Sequence, residues 1–192
     1  MKIIFFLFIY GFIFPINLFA NSAFSPTEAK KIIALRANET IHCLKKKDFK
    51  TFSKLVHPLK GVRFTPYVGV NLKVDIVLSA KQLENISENK TDYFWGSEAA
   101  SANPITCTFN DYFKKFVYDR NFAKAPKVIF NGDIQRGPYK NNINEIYPDG
   151  ITVEYYFPGI DPGYEGEIWP ALTIVFEKAD DSKWYVVGIV HG

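Results

Sequence analysis

The sequence predicts an α+β domain in which N-terminal helices pack on one face of a curved antiparallel β-sheet. Three observations carry that expectation. The last two apolar stretches, Ile168–Glu177 and Trp184–His191, are crowded with Val, Ile, Phe, Tyr and Trp and flank the polar run K-A-D-D-S-K, the pattern of a β-hairpin. In the second of them Trp184, Val186 and Val190 alternate with Tyr185, Val187 and Ile189, so both faces are apolar and the strand belongs at the covered centre of a sheet. The first half of the chain instead carries helix-start signals, and helices followed by a run of strands is the α+β order.

The helices come first. Ser25-Pro26-Thr27-Glu28 is a capping box with Pro at the first helical position, opening a helix to about Lys47. Its apolar stripe is Ile33, Ala37, Ile41 and Leu44. Asp48 caps a second, short helix with Phe49, Phe52 and Val56 inward, and His57-Pro58 stops it because a residue before proline avoids the α region. Gly61–Val70 reads as a strand and Val74–Leu78 as its partner. Ser79-x-x-Gln82 opens a short helix to about Ile86, Asn85–Asp92 is a polar loop, and Tyr93–Gly96 is a short strand before the loop Ser97–Pro104. Thr108-x-x-Asp111 opens a third amphipathic helix, with Tyr112, Phe113, Phe116 and Val117 inward, running out at Asp119 or Arg120. Lys127–Phe130 and Ile151–Phe157 are strands, and the Gly/Asn-rich 131–144 and Pro/Gly-rich 158–166 are excursions between them.

Export is written into the N-terminus. Met1-Lys2 is a short positive start, Ile3–Phe14 is apolar save for Gly11, and Leu18-Phe19-Ala20 offers a small residue for cleavage. This is the pattern of a secretory signal peptide over residues 1–20, with 21–192 as one domain and a second cleavage choice after Ser22. The competing reading, an uncleaved anchor, meets a stretch shorter than the ~20 apolar residues of a spanning helix. The mature chain is therefore expected in the periplasm or secreted, with no membrane contact after cleavage.

Composition narrows the function classes. The 192 residues are 47% hydrophobic, with 18 Phe and 11 Tyr, enough for a large core. A net charge of +3 and one basic run, Lys45-Lys46-Lys47, argue against a nucleic-acid partner. No G-x-S-x-G, phosphate-binding Gly-Lys-Ser/Thr loop, H-E-x-x-H or Cys-x-x-Cys is present, and no cofactor is implied. The three His, at 42, 57 and 191, would all be needed for a three-His metal site, and His42 lies off the apolar stripe, so no metal is expected. Cys43 and Cys107 are either two unpaired thiols or a disulfide closing a loop of about 60 residues, worth about 3–4 kcal/mol in an oxidising compartment.

Helices enclosing a cone with a curved sheet resemble the nuclear transport factor 2-like fold, the cystatin-like cone of ketosteroid isomerases and polyketide cyclases. The run L-K-K-K-D-F-K-T-F-S-K-L-V-H-P is its most telling part. A narrower resemblance rests on His57-Pro58-x-Lys60-Gly61-Val62-Arg63-Phe64-x-Pro66-Tyr67, Tyr93-x-Trp95-Gly96 and Tyr112-Phe113-x-Lys115-Phe116-Val117-Tyr118-Asp119. With the closing W-x-x-L-x-x-V-F-E…W-Y-x-V-G-I-x-H, these are similar to a family of uncharacterised exported bacterial proteins, over about residues 40–191. In that family an Asp precedes the Trp of the last hairpin and a Gly-rich loop follows the Trp-Gly. Here Ile168 precedes Trp169 and the loop is S-E-A-A-S-A-N. The resemblance implies export and transfers no catalytic residue.

Candidate site residues follow from the cone. Arg63, Thr65 and Tyr67 share one face of an extended strand; if it faces the pocket, Arg63 supplies an anion-binding fork and Tyr67 a hydroxyl. Asp119 is either a general base over the cone, as an Asp is in ketosteroid isomerases, or a turn cap paired with Arg120. Tyr118 ends the same helix. His57 is either a pocket base or a cap on helix carbonyls; His191 reaches the cavity rim or is packed. Trp95, Tyr155 and Trp169 either line the pocket or belong to the core. Three readings stand: a non-catalytic exported domain binding a small molecule, an envelope component or a protein partner; a small acid–base enzyme using Asp119, His57, Arg63 and Tyr67; and a structural envelope protein whose cone is filled by its own rings. The two-sided apolar final strand also suggests a homodimer through the sheet face.

Overall fold

A computed structural model describes residues 23–98, 101–132, 140–158 and 170–192. The expected signal peptide and Trp169 fall outside them. Among the described residues no helix is long and apolar enough to cross a membrane.

Helix α1 (Pro26–Lys46) starts where the capping box places it: Ser25 accepts from the Glu28 N–H and Glu28 from the Ser25 N–H. Lys47, left-handed at φ 54°, ends it. Ala29, Ile33, Ala37, Ile41 and Leu44 form its buried stripe. Asp48 accepts from the Thr51 N–H to start α2 (Phe49–Ser53), which buries Phe49 and Phe52. Strand β1 (Val62–Thr65) pairs antiparallel with β2 (Ile76–Leu78). It stops five residues short of the expected Val70, because Pro66 has no N–H to donate and the chain turns away. At the entry to β1, Gly61 has φ +67° and a Cβ there would lie 2.6 Å from the Leu78 carbonyl oxygen, so glycine is required.

Helix α3 (Ala80–Leu83) has the expected Ser79/Gln82 box and is followed by a single 3-10 turn at Ile86–Glu88. The next strand was expected alone but is half of a hairpin: β3 (Asp92–Ser97) pairs with β4 (Pro104–Thr108) as a separate two-stranded sheet. The hairpin feeds α4 (Phe109–Phe116), capped by Thr108. That helix ends three residues before Asp119, where Tyr118 N–H bonds the Phe113 carbonyl across a widened last turn. Strands β5 (Lys127–Phe130), β6 (Ile151–Tyr156), β7 (Ala171–Lys178) and β8 (Trp184–His191) follow, with a short helix α5 (Ile143–Ile146) before β6.

The architecture is α+β, with a curved six-stranded sheet in the order β2-β1-β8-β7-β6-β5. One expectation is corrected: the sheet is mixed, because β1 runs parallel to β8 while the other neighbours are antiparallel. Most of the chain separates β1 from β8, so no tight hairpin imposes the antiparallel sense on that pair. Strand β8 does lie inside the sheet, with Val186, Val187, Ile189 and Val190 all buried.

Its alternation is broken by a bulge. Val175 pairs with Gly188 but Phe176 pairs with Val186, leaving Val187 extra. Val186 and Ile189 therefore join the large helix-side cluster, and Val187 and Val190 a smaller one on the outer face. That regroups the two faces expected from strict alternation. The outer cluster adds Val70, Ile143 and Val175, with Ile146 and Tyr147 packed against it. The Val70 loop is fastened to α5 by two bonds, Val70 N–H to Asn142 Oδ1 at 2.7 Å and Asn142 Nδ2 to the Val70 carbonyl at 3.0 Å. Part of the apolar outer face that suggested a homodimer is thus covered by the chain itself.

Candidate functional site

The space between the helices and the sheet is occupied by aromatic rings. Phe64 on β1 is wholly buried and meets Trp95, Phe109 and Tyr112 edge-on; Trp95 stacks on Tyr112 at 3.9 Å. Phe49 joins Phe109 and Phe113 in the same array. Two of the expected pocket residues belong to this core. Trp95 is fully buried and donates from Nε1 to the Cys107 carbonyl, and Tyr155 on β6 donates its hydroxyl to the Ala37 carbonyl of α1 at 3.0 Å. Burial drives the Tyr155 phenol well above its usual range, so it stays a neutral donor.

The structure separates Arg63 from Tyr67. Val62 and Phe64 face the helices, which sends Arg63 to the outer face. Tyr67 lies beyond the strand end, so alternation no longer governs it, and it packs on Phe116 of α4. It does join two other candidates there. Phe116 also meets the His191 ring, and His191 Nε2 lies 3.3 Å from Asp119 Oδ1. Asp119 has Arg120 at 3.9 Å as well, so the general-base and turn-pair readings share one carboxylate. Tyr118 turns to its own loop, accepting from Ala123 N–H and donating to Asn121 Oδ1.

His57 is far from that group along β8, next to Val186, with its ring near Tyr185. It caps no helix carbonyl. Its Nδ1 instead accepts from the N–H groups of Leu59 and Lys60, at 3.2 and 3.1 Å, holding the turn into β1. Burial, with Lys60 close by, lowers its basicity below the ordinary imidazole value, as two bonds to a bare nitrogen require. Of the two alternatives for the cysteines, the structure has the unpaired thiols. Both are free: Cys43 lies on α1, over β5 and β6, whereas Cys107 lies on β4 against α4. Burial raises both thiols. Among the described residues no cluster of His, Cys, Asp or Glu could hold a metal.

A cleft the sequence did not disclose lies where the β1–β2 hairpin meets the β3–β4 hairpin. It measures about 290 Å³ and is lined by Thr65, Tyr67, Asn71, Asp75, Trp95 and the backbone at Gly69 and Gly96, with exposed Phe94 at its edge. Asp75 is its only charged lining residue among those described. Its Oδ2 accepts from Thr65 Oγ1 at 2.7 Å and Asn71 N–H at 2.8 Å, while Oδ1 has no hydrogen bond among the described residues. Burial raises this carboxyl above the usual range, opposed by those two bonds and the Arg63 charge. The Tyr112 hydroxyl is buried without a hydrogen-bond partner, and Asp75, Tyr67 and Cys107 all bear on its titration. No family model and no curated protein matches the chain.

Nothing in the linear sequence flags Asp75. It reaches Thr65 only through the β1–β2 register, in which Phe64 pairs with Ile76.

Proposed function

We infer that the chain is an exported, non-catalytic binding domain of the nuclear transport factor 2-like type, taking a small hydrogen-bond-donating molecule in the Asp75 cleft. The helices-on-curved-sheet arrangement and the signal-like N-terminus support the class and the compartment. One observation carries the site: a half-buried carboxylate with an oxygen to spare, set beside Tyr67 in a cavity of about 290 Å³. A buried carboxylate is kept only where its acceptors are used. Ligand sites combine such a polar anchor with aromatic walls, here Tyr67 and Phe94. The natural occupant is therefore a polyol or an amine of the cell envelope.

The test is a thermal-shift screen of amines, sugars and cell-wall fragments on wild type and Asp75→Asn. A hit that raises Tm in wild type and is at least tenfold weaker in the variant supports the reading. A flat screen, or hits indifferent to Asp75, overturns it.

A second reading, acid–base catalysis, is favoured by the 3.3 Å approach of His191 to Asp119 beside Tyr67. It requires an isomerase or hydrolase activity of the wild type that Asp119→Asn and His191→Gln each lower at least tenfold; a flat activity screen removes it. His57 has no place in that chemistry, since its Nδ1 is committed to the backbone.

A further inference from the structure

The outer face of the sheet carries a second cavity, of about 350 Å³, whose chemistry is opposite to that of the Asp75 cleft. Its walls are Leu72, Val77, Ile146 and Val187; its polar groups are Lys60, Arg63, Tyr147 and Glu177. The space follows from the sequence of β8. Gly188 pairs directly with Arg63 across the parallel β1–β8 junction, and the bulge puts Val187 on this face. Gly188 keeps the strip beside Val175 open: a Cβ there would press to 3.1 Å from Val175 Cγ2 and would touch the Tyr147 hydroxyl at an ordinary 3.6 Å.

The charges do not cancel. Lys60 pairs with Glu177 at 2.5 Å, which neutralises the one carboxylate lining the groove among the described residues. Arg63 has no ion pair among the described residues. It donates from one terminal nitrogen to the Asp75 carbonyl at 3.2 Å and shares the groove wall with the Tyr147 hydroxyl. A guanidinium has five N–H donors, so donors remain on the groove side even with the Asp75 carboxyl close enough to feel the charge. A guanidinium with donors to spare is matched by a planar carboxylate, which takes two parallel N–H bonds. Exposed Leu72 and Val77 then line the way out with apolar surface.

We propose that this groove binds a medium-chain aliphatic carboxylate, its headgroup on Arg63 and Tyr147 and its chain along Val187, Ile146, Val77 and Leu72. A single charged anchor at one end of an apolar trough selects an amphiphile over a free anion, which would leave the walls wet, and over a neutral chain, which would leave Arg63 unmatched. This site is separate from the Asp75 cleft and uses different side chains, so the two readings fail independently.

The test is octanoate titration of the whole mature chain followed by amide NMR and calorimetry, with acetate and 1-octanol as headgroup-only and chain-only controls. The expected result is saturable binding that shifts the Val187, Gly188 and Tyr147 amides and leaves Gly69 and Gly96 unmoved, with both controls at least tenfold weaker. Arg63→Met should weaken octanoate at least tenfold. Leu72→Glu, at an exposed rim position where folding is indifferent to the change, should weaken it about fivefold by placing a like charge at the mouth. The proposal is overturned if 1-octanol matches octanoate, if Leu72→Glu changes nothing, if the shifts appear at Gly96 instead, or if N-acetyl-Leu-Leu binds more tightly than octanoate, which would make the groove a peptide C-terminus site.

Discussion

The two faces of one sheet solve different problems. On the helix side, β1, β6, β7 and β8 meet rings from α2, α4 and β3, and Phe64, Trp95, Phe109, Tyr112 and Phe113 are at most 1% exposed. On the outer side a handful of valines and isoleucines meet, among the described residues, α5 and the Val70 loop. Large rings interlock in fixed geometries and leave little unfilled space; short branched side chains over a glycine cannot fill a surface of the same width. The two cavities described above lie outside the packed array, one on the outer face beside Val187 and one at its edge, at the junction of the hairpins. Stability is concentrated on the inner face and room for ligands is on the outer one and at the hairpin junction.

The sharpest way to break that comparison is to truncate one residue on each face. Phe64→Ala removes the ring that touches three others and should cost about 3–5 kcal/mol. Val187→Ala, equally a buried strand residue but beside a cavity into which its neighbours can relax, should cost about 2 kcal/mol or less. Urea unfolding of both variants decides it, and equal losses would mean that the outer cluster is as demanding as the inner one. Gly188→Ala comes next. Its Cβ would press within 3.1–3.2 Å of Val175, so a loss of about 1–3 kcal/mol is expected, together with a narrowed groove and weaker octanoate binding. A variant that keeps full stability would show that Val175 gives way freely.

How far this asymmetry was legible depended on distance along the chain. Ser25 and Glu28, Asp48 and Thr51, and Ser79 and Gln82 sit within one turn of each other, and those helix starts could be read directly. Strand β8 was legible too, from apolar residues on both alternations. The bulge at Val187 was not, because nothing local distinguishes a bulged valine from its neighbours. It moved Ile189 to the opposite face from Val187. Strand β4 was hidden because P-I-T-C-T is short and bounded by a helix cap that claims Thr108. At the site, Asp119 and His191 were named and do meet, although 72 residues of chain separate them. Arg63 and Tyr67 were assigned to one face and parted, since that inference assumed a strand that Pro66 ends. Asp75 and Tyr147 owe their place wholly to tertiary register.

Two tyrosines refine the comparison on a smaller scale. Tyr155 on the inner face fastens β6 to α1 through the Ala37 carbonyl, and Tyr155→Phe should cost about 1 kcal/mol in urea unfolding. Tyr147→Phe should cost less, because its hydroxyl faces an open groove that water can enter. A larger loss for Tyr147→Phe would assign the outer hydroxyl a structural part.

The smallest effect is one of pH, and it tests whether Asp75 is held for binding rather than for folding. Burial raises its carboxyl in the folded chain above the value it has when unfolded. The folded state then holds that proton more tightly, so this group's contribution is fully present below the unfolded value, near 3.9, and is lost as pH rises through the raised folded value. At neutral pH the ionised side chain is thus a small liability. Asp75→Asn keeps an acceptor for Thr65 and Asn71 without the charge, so it should equal or slightly exceed wild type in stability at pH 7. Wild type should close the gap as pH falls toward 4, measured as the difference in urea midpoints between the two proteins. Other carboxylates, such as Asp48 and Asp181, are lowered by their hydrogen bonds and weaken both proteins alike in acid, so the difference isolates Asp75. If the variant is instead clearly less stable at pH 7, the ionised carboxylate is part of what holds the two hairpins together, and the cleft loses its claim to be a site kept at the expense of the fold.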